Sequence, residues 1–215
     1  MAKKDKILND FLARFPDFES LENKIKTAFE LMTQCFDAGG KLLVCGNGGS
    51  AADSEHIVGE LMKGFLSARK LSSDELAKFQ GQEEGLGLAQ GLQNALPAIA
   101  LTTHTALITA IANDSSSDLV FAQQVWGYAK NSPDLLLALS TSGNSQNVVN
   151  AIKTANALGR KSIGITGAYS GQMGELCTLC IPVPQKETFM AQELMLPFYH
   201  CLCAMLEAHY FEKKN

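Results

Sequence analysis

The sequence predicts a three-layer α/β/α sandwich on a doubly wound parallel sheet, and three observations carry that reading. Short apolar runs (KLLVC, AIALTT, DLLLALS, KSIGITG and CTLCIPV) recur along the chain with helical segments between most of them. They are continuously apolar rather than alternating, as strands buried on both faces are. Two of them end in turns rich in glycine or hydroxyls, CGNGGS and STSGNS, at the strand ends where open parallel sheets bind ligands.

After a short polar start, SLENKIKTAFELMTQCFDAGG places Leu21, Ile25, Ala28, Phe29, Met32, Cys35 and Phe36 on one helical face, stopped by Gly39 and Gly40. KLLVC is the first strand and a helix follows from Ala51. The interval 65–96 then delays the return to the sheet. Its spacing at Leu76, Phe79, Leu86, Leu88 and Leu92 predicts an inserted helical flap, because a structureless loop of about thirty residues is uncommon in a compact domain. Strand AIALTT, helices ALITAIAND and DLVFAQQVWGYA, strand DLLLALS, helix NVVNAIKTANALG and the last two strands complete the alternation. A final helix over about 187–211 contains Pro197, which is expected to kink it. Residues 1–215 thus read as a single domain with an insertion at about 65–96.

Composition narrows the function. Of 215 residues, 46% are hydrophobic and 19% charged, with net charge -4 and no Lys/Arg cluster, so no nucleic-acid surface is expected. No signal peptide is expected at the start, and no segment reads as long and apolar enough to span a membrane. The six cysteines, Cys35, Cys45, Cys177, Cys180, Cys201 and Cys203, fall on strand-like and helix-like stretches. Buried thiols in a reduced, cytoplasmic protein are the expectation. Cys177-x-x-Cys180 has no second pair and reads as structural.

The two turns carry the chemistry. Gly46-x-Gly48-x-x-Ala51 matches a relaxed dinucleotide fingerprint, but that motif needs an acidic residue ending a second strand about 20 positions on. Here Asp74 and Glu75 fall in a helical pattern. No Gly-Lys-Ser/Thr follows, which excludes a nucleotide P-loop. Ser50-x-x-Asp53 reads as a capping box at the helix start. Ser140, Thr141, Ser142 and Ser145, with Asn144, gather donors at a second helix start without positive charge, which suits the phosphate of a polyol. His56 and Glu60 stand at i, i+4 on the first helix, about 9 and 15 Å beyond Ser50. Arg69 and Lys70 in the insertion read as solvated charges, with a phosphate contact as the alternative, and His104 and His209 as loop and surface histidines.

CGNGGSAADSEH, LSTSGNSQNVVNAI and QELMLPFYH together resemble the sugar isomerase (SIS) domain and, within it, the phosphoheptose isomerases. The resemblance runs from the first long helix to the last, with the insertion outside it. It implies a five-stranded parallel sheet, long terminal helices, and a homotetramer with active sites between subunits. By the same resemblance Asn47, Gly48, Gly49, Asn113 and Asp114 contact the sugar phosphate, and Ser140, Thr141, Ser142 and Ser145 take its phosphate. His56, Glu60, Gln192 and His200 hold a zinc ion, Glu60 and Gln192 also touch substrate, and Glu60 and His200 form the acid–base pair. The implied reaction converts sedoheptulose 7-phosphate to D-glycero-D-manno-heptose 7-phosphate through an enediolate, with no nucleic-acid or membrane partner. Two rivals remain: a non-catalytic regulatory SIS protein of the initiator-associating type, and an isomerase of another sugar phosphate. The chain also departs from the family pattern at Met190, Ala191 and Met195, where arginine, isoleucine and histidine are common.

Overall fold

Strands without a polar face need cover on both sides, and two sets of helices supply it. The structure is a computed structural model describing residues 2–211. Five strands, β1 (Leu42–Cys45), β2 (Ala98–Ala100), β3 (Leu135–Leu139), β4 (Ser162–Thr166) and β5 (Leu179–Pro182), pair in the order β2-β1-β3-β4-β5. Every pairing is parallel, with Leu43 of β1 opposite Ile99 on one side and Leu136 on the other. Side chains of one strand alternate between faces. Leu42 and Val44 therefore join one core with Leu137 and Ile165, whereas Leu43 and Cys45 join the other with Leu136 and Ala138.

The first core is covered by α1 (Lys3–Arg14), α2 (Glu22–Asp37), α3 (Gly49–Met62) and α10 (Thr188–Tyr210). Beyond β2 the chain forms α6 (Thr105–Asp114), α7 (Val120–Ala129), α8 (Gln146–Ala157) and α9 (Met173–Leu176), which cover the second. Because β2 lies on one side of β1 and β3 on the other, the chain reverses direction across the sheet between β1 and β3. A crevice at such a switch point is where doubly wound sheets bind ligands.

Several local expectations change. The polar start is helical: α1 buries Leu8, Phe11 and Leu12, spaced i, i+3, i+4, against α10. Helix α3 begins at Gly49, capped by Gly48 without a side-chain bond, so Ser50 forms no capping box. Ser50 is buried instead, and its carbonyl accepts from Ser54 Oγ at 2.7 Å. The capping box is in the insertion, where Ser72 and Glu75 bond reciprocally at the start of α4 (Ser73–Ala77). A second short helix, α5 (Gly85–Gly91), follows.

Helix α10 corrects the reading that no segment is long and apolar enough to cross a membrane. It has 23 residues and contains an 18-residue stretch of mean hydropathy 1.2, which is long and apolar enough, yet more than half of that stretch is buried within the protein. It packs against α1, α2 and α3 and carries Gln192, His200 and Glu207. Its apolarity belongs to the protein core. Ala191 and Met195, two of the family departures, are fully buried there, whereas Met190 is exposed.

Arg69 is not solvated, and it does not reach toward a phosphate. Its side chain is buried, with Nε donating to Glu207 at 2.8 Å, Nη1 to the Leu61 carbonyl at 2.6 Å and Nη2 to the Glu60 carbonyl at 2.8 Å. Glu207 also accepts the backbone N–H groups of Phe65, Leu66 and Ser67. The pair thus ties the end of α3 and the base of the insertion to α10. Burial alone would raise the Glu207 carboxyl, but the Phe65 and Leu66 N–H groups and Arg69 outweigh it and hold it below 4.5. A depressed folded value contributes stability that is full above the unfolded value and is lost as pH falls through the folded one. Urea denaturation between about pH 3 and 7 is therefore expected to show acid destabilisation that Glu207→Gln flattens.

Candidate active site

The first loop, residues 46–48, leads from β1 into α3, and the second, residues 140–145, leads from β3 into α8. They flank the switch point. The first loop is tied to the first turn of α8, just after the second loop, by a reciprocal amide pair: Asn47 Nδ2 donates to Asn147 Oδ1 at 2.8 Å, and Asn147 Nδ2 returns to Asn47 Oδ1 at 2.9 Å. An open cavity beside this pair is lined by Gly46, Asn47, Gly48, Thr102, Ser117 and Asn147. Asn147 was not among the residues expected here, although it stands two positions after Ser145.

Ser140 is buried, with its hydroxyl 2.9 Å from Ser145 Oγ and 3.4 Å from Ser142 Oγ. Gly143 permits the tight turn: its φ is +65°, and a Cβ there would strike the Ser170 carbonyl. Thr141 offers its carbonyl to the Gly167 N–H at 2.9 Å, which braces the loop against the end of β4. Neither loop contains lysine or arginine, so an anion here would be met by hydroxyls, amides and the N-terminal ends of α3 and α8. Asn113 and Asp114 lie at the exposed end of α6, bonded to each other at 2.8 Å and close in sequence to Ala112, which lines the same cavity.

Helices α3 and α10 run side by side in the same direction. Gln192 packs its amide where a Cβ on Gly49 would be, and two turns further on His200 meets His56. Gln192 and His200 thus contact α3 at two levels, and α10 is continuous through Pro197. His56, Glu60 and His200 form a cluster: His56 Nε2 is 3.0 Å from Glu60 Oε1 and 3.3 Å from His200 Nε2. One ligand atom from each lies within 4.8 Å of the others. Burial, then the neighbouring His56, lowers the pKa of His200 below 6.5, with Glu60 opposing. His200 is accordingly neutral near pH 7.

Behind the cluster Tyr199 is buried, its hydroxyl 3.1 Å from Asp53 Oδ1 and 3.0 Å from His56 Nδ1. Burial, then Asp53, pushes the phenol pKa upward, so it keeps its proton. Burial raises the Asp53 carboxyl, opposed by the Tyr199 hydrogen bond and by His56. Asp53 stood out in the sequence only as the end of a capping box, and Tyr199 did not stand out. The only signal for Tyr199 was its place beside His200 on an apolar helix.

A match to the SIS domain model covers residues 8–92 and 82–167. The chain belongs to the SIS domain family. It is 37% identical to the phosphoheptose isomerase of Aliarcobacter butzleri over 95% of this chain and 97% of that one. It is 41% identical to the phosphoheptose isomerase of Dechloromonas aromatica over 86% and 83%. Among solved structures, a phosphoheptose isomerase from Francisella tularensis superposes with a TM-score of 0.72 at 31% identity, covering 96% of this chain and 99% of that one. The five-stranded sheet and long terminal helices are those of this SIS fold.

Proposed function

We propose that this chain is a ketose–aldose isomerase that converts sedoheptulose 7-phosphate to D-glycero-D-manno-heptose 7-phosphate. The observation that carries the reading is a carboxylate and two imidazoles clustered on α3 and α10, with α3 rising from a glycine loop tied to the start of α8 just after the hydroxyl loop. The relatives named as phosphoheptose isomerases over most of their length support the substrate.

The hydroxyls of Ser140, Thr141, Ser142 and Ser145 receive the phosphate, and Asn47, Gly48, Gly49, Asn113, Asp114 and Gln192 bind the sugar. Glu60 carries the proton between C1 and C2, where charge passes to the oxygens as an enediolate forms. His200, neutral near pH 7 and beside Glu60, opens the ring and exchanges protons with the oxygens. Met190, exposed on α10, leaves the sugar without the arginine common there in the family.

The residues also fit a zinc ion. Zinc–nitrogen bonds of about 2.0–2.1 Å at tetrahedral angles put ligand atoms about 3.3 Å apart, close to the 3.0 and 3.3 Å spacings at His56 Nε2. His56, Glu60 and His200 would hold it; Gln192, the fourth member of the expected set, lies against Gly49 two turns away. Bound there, zinc supplies a Lewis acid for the sugar oxygens. The set lacks thiolates, which suits a catalytic rather than a structural ion. The proposal includes a homotetramer with sites between subunits and a reducing, cytoplasmic setting, the latter supported by six free cysteines. The whole chain is proposed to act as one SIS domain with the 65–96 segment inserted.

Purified protein incubated with sedoheptulose 7-phosphate, with zinc or with a chelator, tests the reading through aldose formation. Turnover of this sugar above pentose and hexose phosphates is expected; no turnover under any metal condition points to the regulatory rival. Gly49→Ala gives a local check. Its Cβ meets the mobile end of Gln192 rather than backbone, so KM is expected to rise roughly tenfold, with stability changed by no more than about 0.5 kcal/mol.

A further inference from the structure

We infer that Asn147 is a positioning residue that fixes which way the amide of Asn47 faces the sugar phosphate. The inference rests on the proposed function and deepens it, since Asn47 is there one of the groups that bind the sugar. An asparagine amide can turn its oxygen and nitrogen end for end, and a reciprocal pair of two such amides survives a concerted turn of both. A third contact removes that freedom here. Asn147 Oδ1 also accepts the backbone N–H of Val148 at 3.0 Å, in the first turn of α8, where N–H groups have no partner within the helix. Were Asn147 turned, its Nδ2 would meet that N–H donor to donor. Asn147 therefore keeps its oxygen toward Val148, and Asn47 answers with Nδ2 donating at 2.8 Å and Oδ1 accepting at 2.9 Å.

The pair then offers the cavity a defined set of groups. Asn147 Oδ1 holds two hydrogen bonds and is filled. One N–H on each amide and one lone pair on Asn47 Oδ1 remain, so donors outnumber acceptors. Both residues line the cavity at the switch point, and neither flanking loop contains a lysine or arginine. Amide N–H groups are thus what this wall turns toward the oxygens of a phosphorylated polyol. Asn47 is exposed, and among the described residues no side chain other than Asn147 bonds its amide. Without Asn147, water would meet either orientation equally well, and part of the binding energy of the sugar would go into choosing one. The choice is made in advance by the start of α8, whose N–H direction is set by the helix and not by a loop.

Nitrogen-15 NMR of protein labelled at asparagine follows the side-chain NH2 of Asn47, assigned by its loss in Asn47→Ala. Its exchange with water is expected to be slower in the wild type than in Asn147→Ala. In kinetics with sedoheptulose 7-phosphate, Asn147→Ala is expected to raise KM about 3–10-fold with kcat held within about twofold. Once Asn47 is already alanine, the same change is expected to move KM less than about twofold. Asn147→Ser separates positioning from a merely structural role: serine still offers the start of α8 an acceptor but does not reach Asn47, so it is expected to match Asn147→Ala. Equal exchange in wild type and Asn147→Ala, rescue by serine, or a KM factor that persists undiminished in Asn47→Ala overturns the inference. In a protein that binds the sugar phosphate without turning it over, the same factors appear in Kd by calorimetry, which retains the inference while removing the isomerase reading. Turnover with equal exchange does the reverse, and no binding of the sugar phosphate overturns both.

Discussion

Glu60→Gln is expected to lower kcat for sugar-phosphate isomerisation by at least about a hundredfold, with the fold intact. Glutamine keeps the size and hydrogen-bonding reach of the side chain but has no basic oxygen to take a carbon-bound proton. The backbone carbonyl of Glu60 accepts from Arg69 at 2.8 Å, a contact that survives the change, and the side-chain ion pair it loses, to exposed Lys63 at 3.4 Å, is worth little to stability. His200→Ala is expected to fall by a similar factor through loss of the group that protonates oxygen. Steady-state kinetics with circular dichroism of both variants makes the check. Near-normal rates in both would remove these residues from the acid–base steps, wherever the substrate binds.

The second large effect concerns stability. Arg69→Met keeps much of the side-chain volume but strands the buried Glu207 carboxylate and uncaps the Leu61 and Glu60 carbonyls. Breaking one side of a buried ion pair costs about 3–5 kcal/mol, a large share of the stability of an ordinary domain. Urea denaturation near pH 7 should register that loss. A change below about 1 kcal/mol would mean that the pair behaves as an exposed one. Because Arg69 holds the carbonyl of Glu60, any folded fraction is expected to lose catalytic rate as well.

The sheet was legible because burial on both faces writes itself into the strands as unbroken apolar runs, and LLLAL and SIGIT needed no partner to be recognised. The helix α1 was missed although Leu8, Phe11 and Leu12 have helical spacing, since a dozen mostly polar residues gain a reason to be helical only from α10. His56 and Glu60 could be paired from their spacing, but bringing His200 to them depends on α3 and α10 lying side by side. Arg69 and Glu207 are 138 positions apart, and Asn47 and Asn147 are 100 apart. Such pairs leave no periodicity and no local motif. A lysine- or arginine-bearing surface segment is ordinarily solvated, and only the fold reveals that Arg69 turns inward. The same limit hid Tyr199, whose role depends on its two hydrogen-bond partners rather than on its residue type.

A crystal structure of the protein with sedoheptulose 7-phosphate bound tests most directly whether the two loops and the cluster form one site. The expected density places the phosphate on the hydroxyls of Ser140, Ser142 and Ser145 and the C1–C2 end beside Glu60 and His200, within about 3–3.5 Å. A sugar phosphate bound away from the serine loop, or bound there with C1 and C2 out of reach of Glu60, would contradict it.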